Sequence, residues 1–307
     1  MDRLPLAHGE TRFARVRHGL EAWSPPPGLA AWAYEFALFG FKQGWACLFG
    51  GLLLALLLGS HLFYPVGAPL ARYDFLVIAA VALQVAMLAL RLETVAEAKV
   101  ILAFHLIGTV MELFKTAQGS WIYPEAGVLR IGGVPLFSGF MYAAVGSYIA
   151  RIWRIFSFRF TGYPPTWATI ALAVAIYVNF FTHHWLPDIR IALFAIGAVL
   201  FRKTRIYFRV WREERWMPLI LGWFLVALFI WFAENLATFS RIWIYPSQSA
   251  GWTMVSPTKL GAWYLLMYIS FVLVAALHRN PREKKCAHPA RRGDASPASH
   301  ALSEERA

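Results

Sequence analysis

The chain has 307 residues, of which 59% are hydrophobic and 15% charged, and its formal net charge is +12. Soluble domains carry about a quarter charged residues, so this composition excludes an ordinary soluble protein and indicates lipid as the solvent. Only helices or closed barrels can span lipid, because every backbone polar group must be paired within the protein. The apolar runs are long and continuous, which predicts an all-α bundle of membrane helices.

Eight apolar segments predict about eight spans. In chain order they are Ala37–Leu58, Phe75–Leu90, Val100–Ala117, Pro135–Ile155, Pro165–Trp185, Ile189–Phe201, Trp216–Ala237 and Ala262–Leu277. A basic arm, residues 1–30, precedes them and lacks the apolar core of a signal peptide. The tail, residues 279–307, is rich in Pro, Ala, Ser and charge, which predicts disorder.

The basic residues indicate how the spans are oriented, because cytoplasmic loops collect Lys and Arg. With the N-terminus inside, the outer loops carry few basic residues: Arg72, Arg130, Arg190, Arg241 and Lys259. We therefore predict that both termini are cytoplasmic. The net charge is then a topology signal with some attraction to anionic lipid, and nucleic acid is not an expected partner.

One motif occurs twice, which predicts an internal repeat. Segments Glu112–Pro124 and Glu234–Pro246 both read E-x3-T-x4-W-I-Y-P, at an offset of 122 residues. Four spans separate the copies, so both copies insert in the same direction. We expect two parallel four-helix repeats, residues 31–156 and 157–278, related by an axis along the membrane normal.

Acidic side chains within spans are the main functional signal. A carboxylate there costs about 2.5–3.5 kcal/mol and persists only where it faces protein or water. We interpret the polar residues near the outer helix ends as one cluster at the repeat interface. Its catalytic candidates are Glu112, Glu234, His183 and His61, and its substrate-binding candidates are Asn179, Asn235, Thr116, Thr238, Trp121, Tyr123, Trp243, Tyr245 and His105.

A structural role for these residues is the alternative. Each glutamate would then be a helix-end acceptor for a Trp indole, a Tyr hydroxyl or a loop amide, and the aromatic rings would form an interfacial belt. We expect neither a metal nor a cofactor, because the chain has no H-E-x-x-H and no paired-cysteine spacing. The neighbours His183 and His184 would point to different faces of a helix, which disfavours a shared metal site.

Several of these segments resemble one family. The run from Phe104 to Arg154 contains H-L-I-G-T-V-M-E-L-F-K-T-A-Q-G-S-W-I-Y-P-E and G-G-V-P-L-F-S-G-F-M-Y, and resembles the YoaT-like family of bacterial integral membrane proteins. The resemblance continues through N-F-F-T-H-H-W-L-P-D and W-F-A-E-N-L-A-T-F, over roughly residues 34–278. It implies a bacterial inner-membrane protein and no particular reaction. A shorter segment, with Glu112, Tyr123 and Gly133–Leu136, is similar to small membrane carotenoid cyclases and hydratases, although W-I-Y-P-E departs from their tyrosine pattern.

Three functions remain open from the sequence. An intramembrane enzyme would use the paired glutamates as acid and base on an apolar isoprenoid or lipid. A small-solute transporter would move its repeats about a Glu/His cluster. A membrane scaffold would need neither glutamate for chemistry.

Overall fold

The computed structural model describes residues 12–278, and the side chains of residues 14–276 within them. This part of the chain is mostly helical. Its helices are α1 (Arg12–Ala22), α2 (Leu29–Ala46), α3 (Leu48–Phe63), α4 (Arg72–Ala89), α5 (Val95–Ala117), α6 (Ser138–Ile155), α7 (Thr166–Thr182), α8 (Arg190–Phe201), α9 (Leu219–Phe239) and α10 (Thr258–His278). Its strands are β1 (Arg130–Ile131), β2 (Val134–Pro135), β3 (Arg159–Thr161), β4 (Arg205–Arg209) and β5 (Glu214–Pro218). Residues 1–11 of the basic arm lie outside the described residues. The tail, for which disorder was predicted, lies outside them as well.

Within residues 12–278 there are four to five candidate membrane spans. Helices α4, α5, α9 and α10 are long and apolar enough to cross a membrane. A fifth span results if α2 and α3, which are bent by 68° relative to each other, count as one broken helix. Helices α7 and α8 are apolar but shorter. Helix α6 is more polar, because it carries Arg151 and Arg154 near its C-terminal end.

The span predicted over Ala37–Leu58 is not one continuous helix. Helix α2 ends at Ala46 and α3 begins at Leu48. The reason lies in Lys42 of α2, whose buried ammonium donates to the Glu21 carboxylate at 2.6 Å and to the Val210 carbonyl at 2.5 Å. These partners belong to α1 and to the β4–β5 turn, so α2 is fixed to structure outside the bundle while the apolar α3 enters it. Helix α1 was not predicted either.

The two ends of the bundle differ in character. At one end, here called the sheet end, β3, β4 and β5 form an antiparallel sheet in that order. The indole N–H of Trp211 in the β4–β5 turn donates to the Glu21 carbonyl at 3.0 Å, so α1 and the sheet pack together. At the other end, here called the motif end, lie the two W-I-Y-P segments and the β1–β2 hairpin. The sheet was not predicted, because its strands are short and rich in Arg.

Helix α6 lies at the centre and contacts α2, α3, α5 and α10. Glycine allows its close contact with α5, since a Cβ on Gly139 would lie 2.7 Å from the His105 carbonyl oxygen. Most of the other helix contacts follow one pattern: α3 meets α4 and α6, α5 meets α4 and α6, α7 meets α8 and α10, and α9 meets α8 and α10. The α6–α10 and α3–α9 contacts join the first four of these helices to the last four.

A buried ion pair stabilises the sheet end of the bundle. Arg151 of α6 is 0% exposed, and its Nη2 lies 3.4 Å from Oε1 of Glu93, which is also buried. Arg151 also donates to the Trp45 carbonyl at 3.3 Å, next to the α2–α3 break. Because each charge is removed from water, either one alone would be costly to bury.

Candidate functional site

Glu112 of α5 is held by three aromatic donors. Its side chain is 3% exposed. Oε2 accepts from the Trp121 indole at 2.8 Å and from the Tyr123 hydroxyl at 2.6 Å, and Oε1 accepts from the Tyr142 hydroxyl of α6 at 2.8 Å. The W-I-Y-P segment therefore folds back over the end of its own helix, and α6 completes the site.

Glu234 of α9 has a similar environment and is also 3% exposed. Oε1 accepts from the Tyr245 hydroxyl, and Oε2 accepts from the Trp263 indole of α10 at 2.7 Å. The Lys259 ammonium lies 4.4 Å from the centre of the Tyr245 ring. Burial, followed by the neighbouring carboxylate charge, raises the pKa of Tyr123 and of Tyr245 well above the usual value of a phenol. Both residues therefore remain neutral hydroxyl donors at physiological pH.

The two glutamate sites adjoin each other at the motif end. Ile122 and Ile244 exchange both backbone hydrogen bonds, each at 3.0 Å, in an antiparallel bridge. The Trp121 ring contacts the Tyr245 ring edge-on at a centroid distance of 6.2 Å. The two W-I-Y-P motifs therefore meet at this end of the bundle. The Trp121 and Tyr245 rings lie between the two glutamate sites.

An apolar cavity of about 30 Å³, roughly the volume of one water molecule, lies in the interior of the bundle beside Tyr142, and Glu112 is not part of its lining. It lies between α5, α6, α7 and α10 and is lined by aliphatic and aromatic side chains together with Ser270. Tyr142 forms part of its wall and donates to Glu112 at the same time. This tyrosine therefore connects an apolar space to a buried carboxylate.

The predicted single cluster is divided among three places. Asn179 and His183 lie at the end of α7 with Lys115, where the Asn179 amide donates to Asp188 at 3.1 Å and accepts from the Ile189 amide at 3.1 Å. His61 packs edge-on against Phe239 and lines an open cavity of about 370 Å³ beside Arg72 and Glu125. In the described part of the chain neither group contacts a glutamate, since His61 packs on Phe239 of α9 and His183 contacts Lys115 of α5.

Most of the other predicted residues have structural contacts. Asn235 donates to the Trp231 carbonyl at 2.8 Å and accepts from the Val255 amide at 2.9 Å, so it fixes the loop before α10. Thr238 accepts from the Trp252 indole at 3.2 Å. Trp243 is buried in the apolar layer beneath the motifs.

Two predicted side chains on α5 keep a buried polar atom without a hydrogen-bond partner. They are Thr116, through its hydroxyl oxygen, and His105, through Nδ1. The His105 ring packs on Phe140 at a centroid distance of 4.4 Å, within the contact between α5 and α6. Neither atom touches a glutamate.

Three residues of the site were not predicted from the sequence: Tyr142, Trp263 and Lys259. The offset of 122 residues pairs Tyr142 with Tyr264, so the repeat was a usable signal for the tyrosine. The structure uses the preceding residue, Trp263, at the second glutamate, while the Tyr264 ring packs on Phe194 at 5.7 Å.

Fold and site together give a mostly helical chain with four to five candidate membrane spans in its described part and two buried, aromatic-bound glutamates at one end of the bundle. The family described as "Protein of unknown function (DUF817)" matches residues 35–271, and the chain belongs to it. "Uncharacterized protein YoaT" of Bacillus subtilis (strain 168) is 44% identical over 240 residues, which cover 78% of this chain and 90% of that protein. These matches confirm the resemblance to the YoaT-like family. No solved structure matches the chain.

Proposed function

We propose that the protein has eight spans, α3 to α10, arranged as two parallel repeats, α3–α6 and α7–α10. Two observations support this. The helix contacts within the first four helices recur in the same order within the last four. The bridge also pairs Ile122 with Ile244, which are equivalent at the 122-residue offset, and a two-fold axis along the membrane normal brings equivalent segments together antiparallel. The two membrane units are then residues 157–278 and the part of residues 31–156 that follows α2, because α2 lies outside the hydrocarbon in this proposal.

The sheet end is cytoplasmic in this proposal, and the membrane is the bacterial inner membrane. The sheet and its flanking turns carry Arg159, Arg202, Lys203, Arg205, Arg209, Arg212 and Arg215, whereas the motif end carries the few basic residues expected outside. The described chain begins and ends at the sheet end, which agrees with cytoplasmic termini.

Within this architecture, the favoured function is proton-transfer catalysis on an apolar isoprenoid or lipid drawn from the bilayer. The observation that carries it is the position of Tyr142, which lines the apolar cavity and donates to Glu112 at 2.8 Å. For the reaction Glu112 is protonated and donates to the Tyr142 oxygen, while the Tyr142 hydroxyl turns toward the cavity and transfers its own proton to an unsaturated carbon. The resulting carbocation then loses a different proton to the Tyr142 oxygen, and Tyr142 returns a proton to the Glu112 carboxylate, so both groups recover their starting states. The outcome is an isomerisation with no net proton change, and it needs no cofactor.

The remaining candidates have supporting roles. Trp121 and Tyr123 hold the Glu112 carboxylate in one orientation, and Tyr245 and Trp263 do the same for Glu234. Glu234 is a second acid or base of the same kind, reached through the aromatic layer between the two sites. His61 and His183 lie in other groups, so proton transfer at Glu112 does not require them.

The test compares two tyrosines on one carboxylate. Wild-type protein and variants are assembled in nanodiscs with lipid extract from the source bacterium, and bound and converted lipids are identified by mass spectrometry. Tyr142→Phe and Glu112→Gln should each lower turnover about 10²–10⁴-fold, the usual contribution of a general acid. Tyr123→Phe removes a hydroxyl from the same carboxylate outside the cavity, so it should cost less than about tenfold. Equal losses for the two tyrosine variants would assign Glu112 a structural role instead.

Transport of a small solute is the second candidate, and the bridge between the repeats favours it. One pair of backbone hydrogen bonds joins the two W-I-Y-P segments, so rocking of one repeat against the other would open the motif end. Residues that exchange both hydrogen bonds have Cα atoms about 5.5 Å apart, which suits a disulfide. In a chain with Cys47 and Cys286 replaced, an Ile122→Cys/Ile244→Cys disulfide should abolish uptake into proteoliposomes if transport is the function. It should leave lipid turnover intact if catalysis is.

A further inference from the structure

Lys115 is a buried cation at the motif end. Its side chain leaves α5 toward α7 and is 4% exposed. The ammonium contacts Nε2 of His184 at 3.0 Å and Nε2 of His183 at 3.4 Å, and it lies 4.2 Å from the centre of the Phe180 ring. Two imidazole rings and an aromatic face therefore surround the ammonium.

The tautomer of His183 follows from its contacts. Its Nδ1 lies 3.0 Å from the Asn179 carbonyl, so Nδ1 carries the proton and donates to that oxygen. Nε2 is then the acceptor for Lys115. If Nε2 were protonated, this ring would become a second donor directed at the same point, beside the ammonium.

No carboxylate among the described side chains compensates Lys115 by direct contact. The negative charge of Asp188 acts on Lys115, but Asp188 forms its own ion pair with Arg190 at 2.5 Å and accepts from the Asn179 amide. Lys259 and Arg190 act on Lys115 with further positive charge. An ammonium removed from water without a counter-charge is costly, so the surroundings of Lys115 favour an external anion.

We propose that Lys115, His183 and His184 form a binding site for a phosphate-type oxyanion. His184 is exposed, so an anion can reach the ammonium from the motif-end surface. The bound oxyanion replaces the imidazole acceptors of Lys115, and the rings become donors to it when protonated. Both a lipid headgroup and a soluble phosphate offer this chemistry. The site lies apart from the hydrogen bonds of Glu112 and does not rest on catalysis there.

The experiment measures binding rather than turnover. Protein in nanodiscs of zwitterionic phosphatidylcholine is titrated calorimetrically with inorganic phosphate, and protein in nanodiscs containing phosphatidylglycerol is examined for retained lipid by native mass spectrometry. Binding in the first assay identifies a soluble anion, and retention in the second alone identifies a lipid headgroup. Either result supports the site if Lys115→Gln weakens it at least tenfold.

Matched variants keep the test decisive. Lys99→Gln removes a lysine from the opposite end of the same helix and should bind as wild type does. His184→Gln alters only an exposed ring and should weaken binding several-fold, so the site can be tested even if Lys115→Gln misfolds. Lys115→Arg should retain binding because it keeps the charge. Wild type that binds neither phosphate nor phosphatidylglycerol would overturn the proposal, as would variants at Lys115 and His184 that bind both unchanged.

Discussion

Gly108→Ala should show how tightly the Glu112 site depends on the packing of α5 against α6. A Cβ on Gly108 would lie 2.7 Å from Cβ and Cγ of Tyr142, and ordinary contact begins at 3.4 Å. The Tyr142 Cβ is attached directly to the backbone of α6, so the helices must separate by about 0.7 Å or the ring must leave its rotamer. Overpacking of this kind costs about 1–3 kcal/mol. It also moves the Tyr142 hydroxyl away from Glu112.

The assay is thermal unfolding in nanodiscs, compared with Gly59→Ala on α3. Nothing lies within 4 Å of a Cβ on Gly59, so that variant should change stability by less than about 0.5 kcal/mol, or raise it slightly through helix propensity. Gly108→Ala should unfold at a clearly lower temperature, and it should lose turnover as the Tyr142→Phe variant does. If both glycine variants unfold together at the wild-type temperature, the close approach of α5 and α6 is not what positions Tyr142.

Three further results are expected. Ile122→Pro and Ile244→Pro each remove one amide donor of the bridge, so their unfolding temperatures should fall by similar amounts if the repeats are equivalent, and an effect at one position only would contradict the two-fold arrangement. Arg151→Met leaves its buried carboxylate partner uncompensated and should cost about 3–5 kcal/mol in denaturant titrations, with a loss below about 1 kcal/mol refuting the pairing. Desolvation of the His184 ring, followed by the charge of Lys115, lowers the pKa of this residue from 6.5. The imidazole therefore takes up a proton more readily in the unfolded chain than in the folded protein, and the stability of the folded protein should fall as pH drops below 6.5. Sulfate should offset that loss, as measured by unfolding temperature against pH, and a sulfate effect that is independent of pH would contradict it.

The sequence predicted the helices well where a single apolar run decides the matter. Three predicted helix ends, Ala117, Ile155 and Phe201, coincide with the ends of α5, α6 and α8. The break at Cys47 was not predictable in this way, because the residues on both sides are apolar on average. It depends on the contacts of Lys42 with α1 and with the β4–β5 turn, which lie far away in the sequence.

The candidate site was predictable only as far as the repeat extends. The offset identified both glutamates and three of their donors, Trp121, Tyr123 and Tyr245, because these donors lie close to their acceptors along the chain. The polar residues near the ends of α3 and α7 were assigned to the same cluster from their depth alone. Depth along a helix does not determine which neighbour a side chain faces, and His183 faces Lys115 rather than a glutamate.

The two glutamates differ in chemistry because their surroundings depart from two-fold symmetry. Glu112 shares a hydroxyl donor, Tyr142, with an apolar cavity, whereas the α10 donor to Glu234 is the indole of Trp263, which gives up its proton far less readily than a phenol. Lys259 lies beside this second site, with its ammonium 4.4 Å from the centre of the Tyr245 ring. Two residues of one type in different surroundings can divide the roles of acid and base. In the proposed reaction Glu112 is therefore the residue that acts through Tyr142, and Glu234 is the second acid or base. The Tyr142→Trp substitution would replace the phenol donor of Glu112 by an indole and so remove this difference. Lipid turnover should then be lost even though both carboxylates still accept hydrogen bonds.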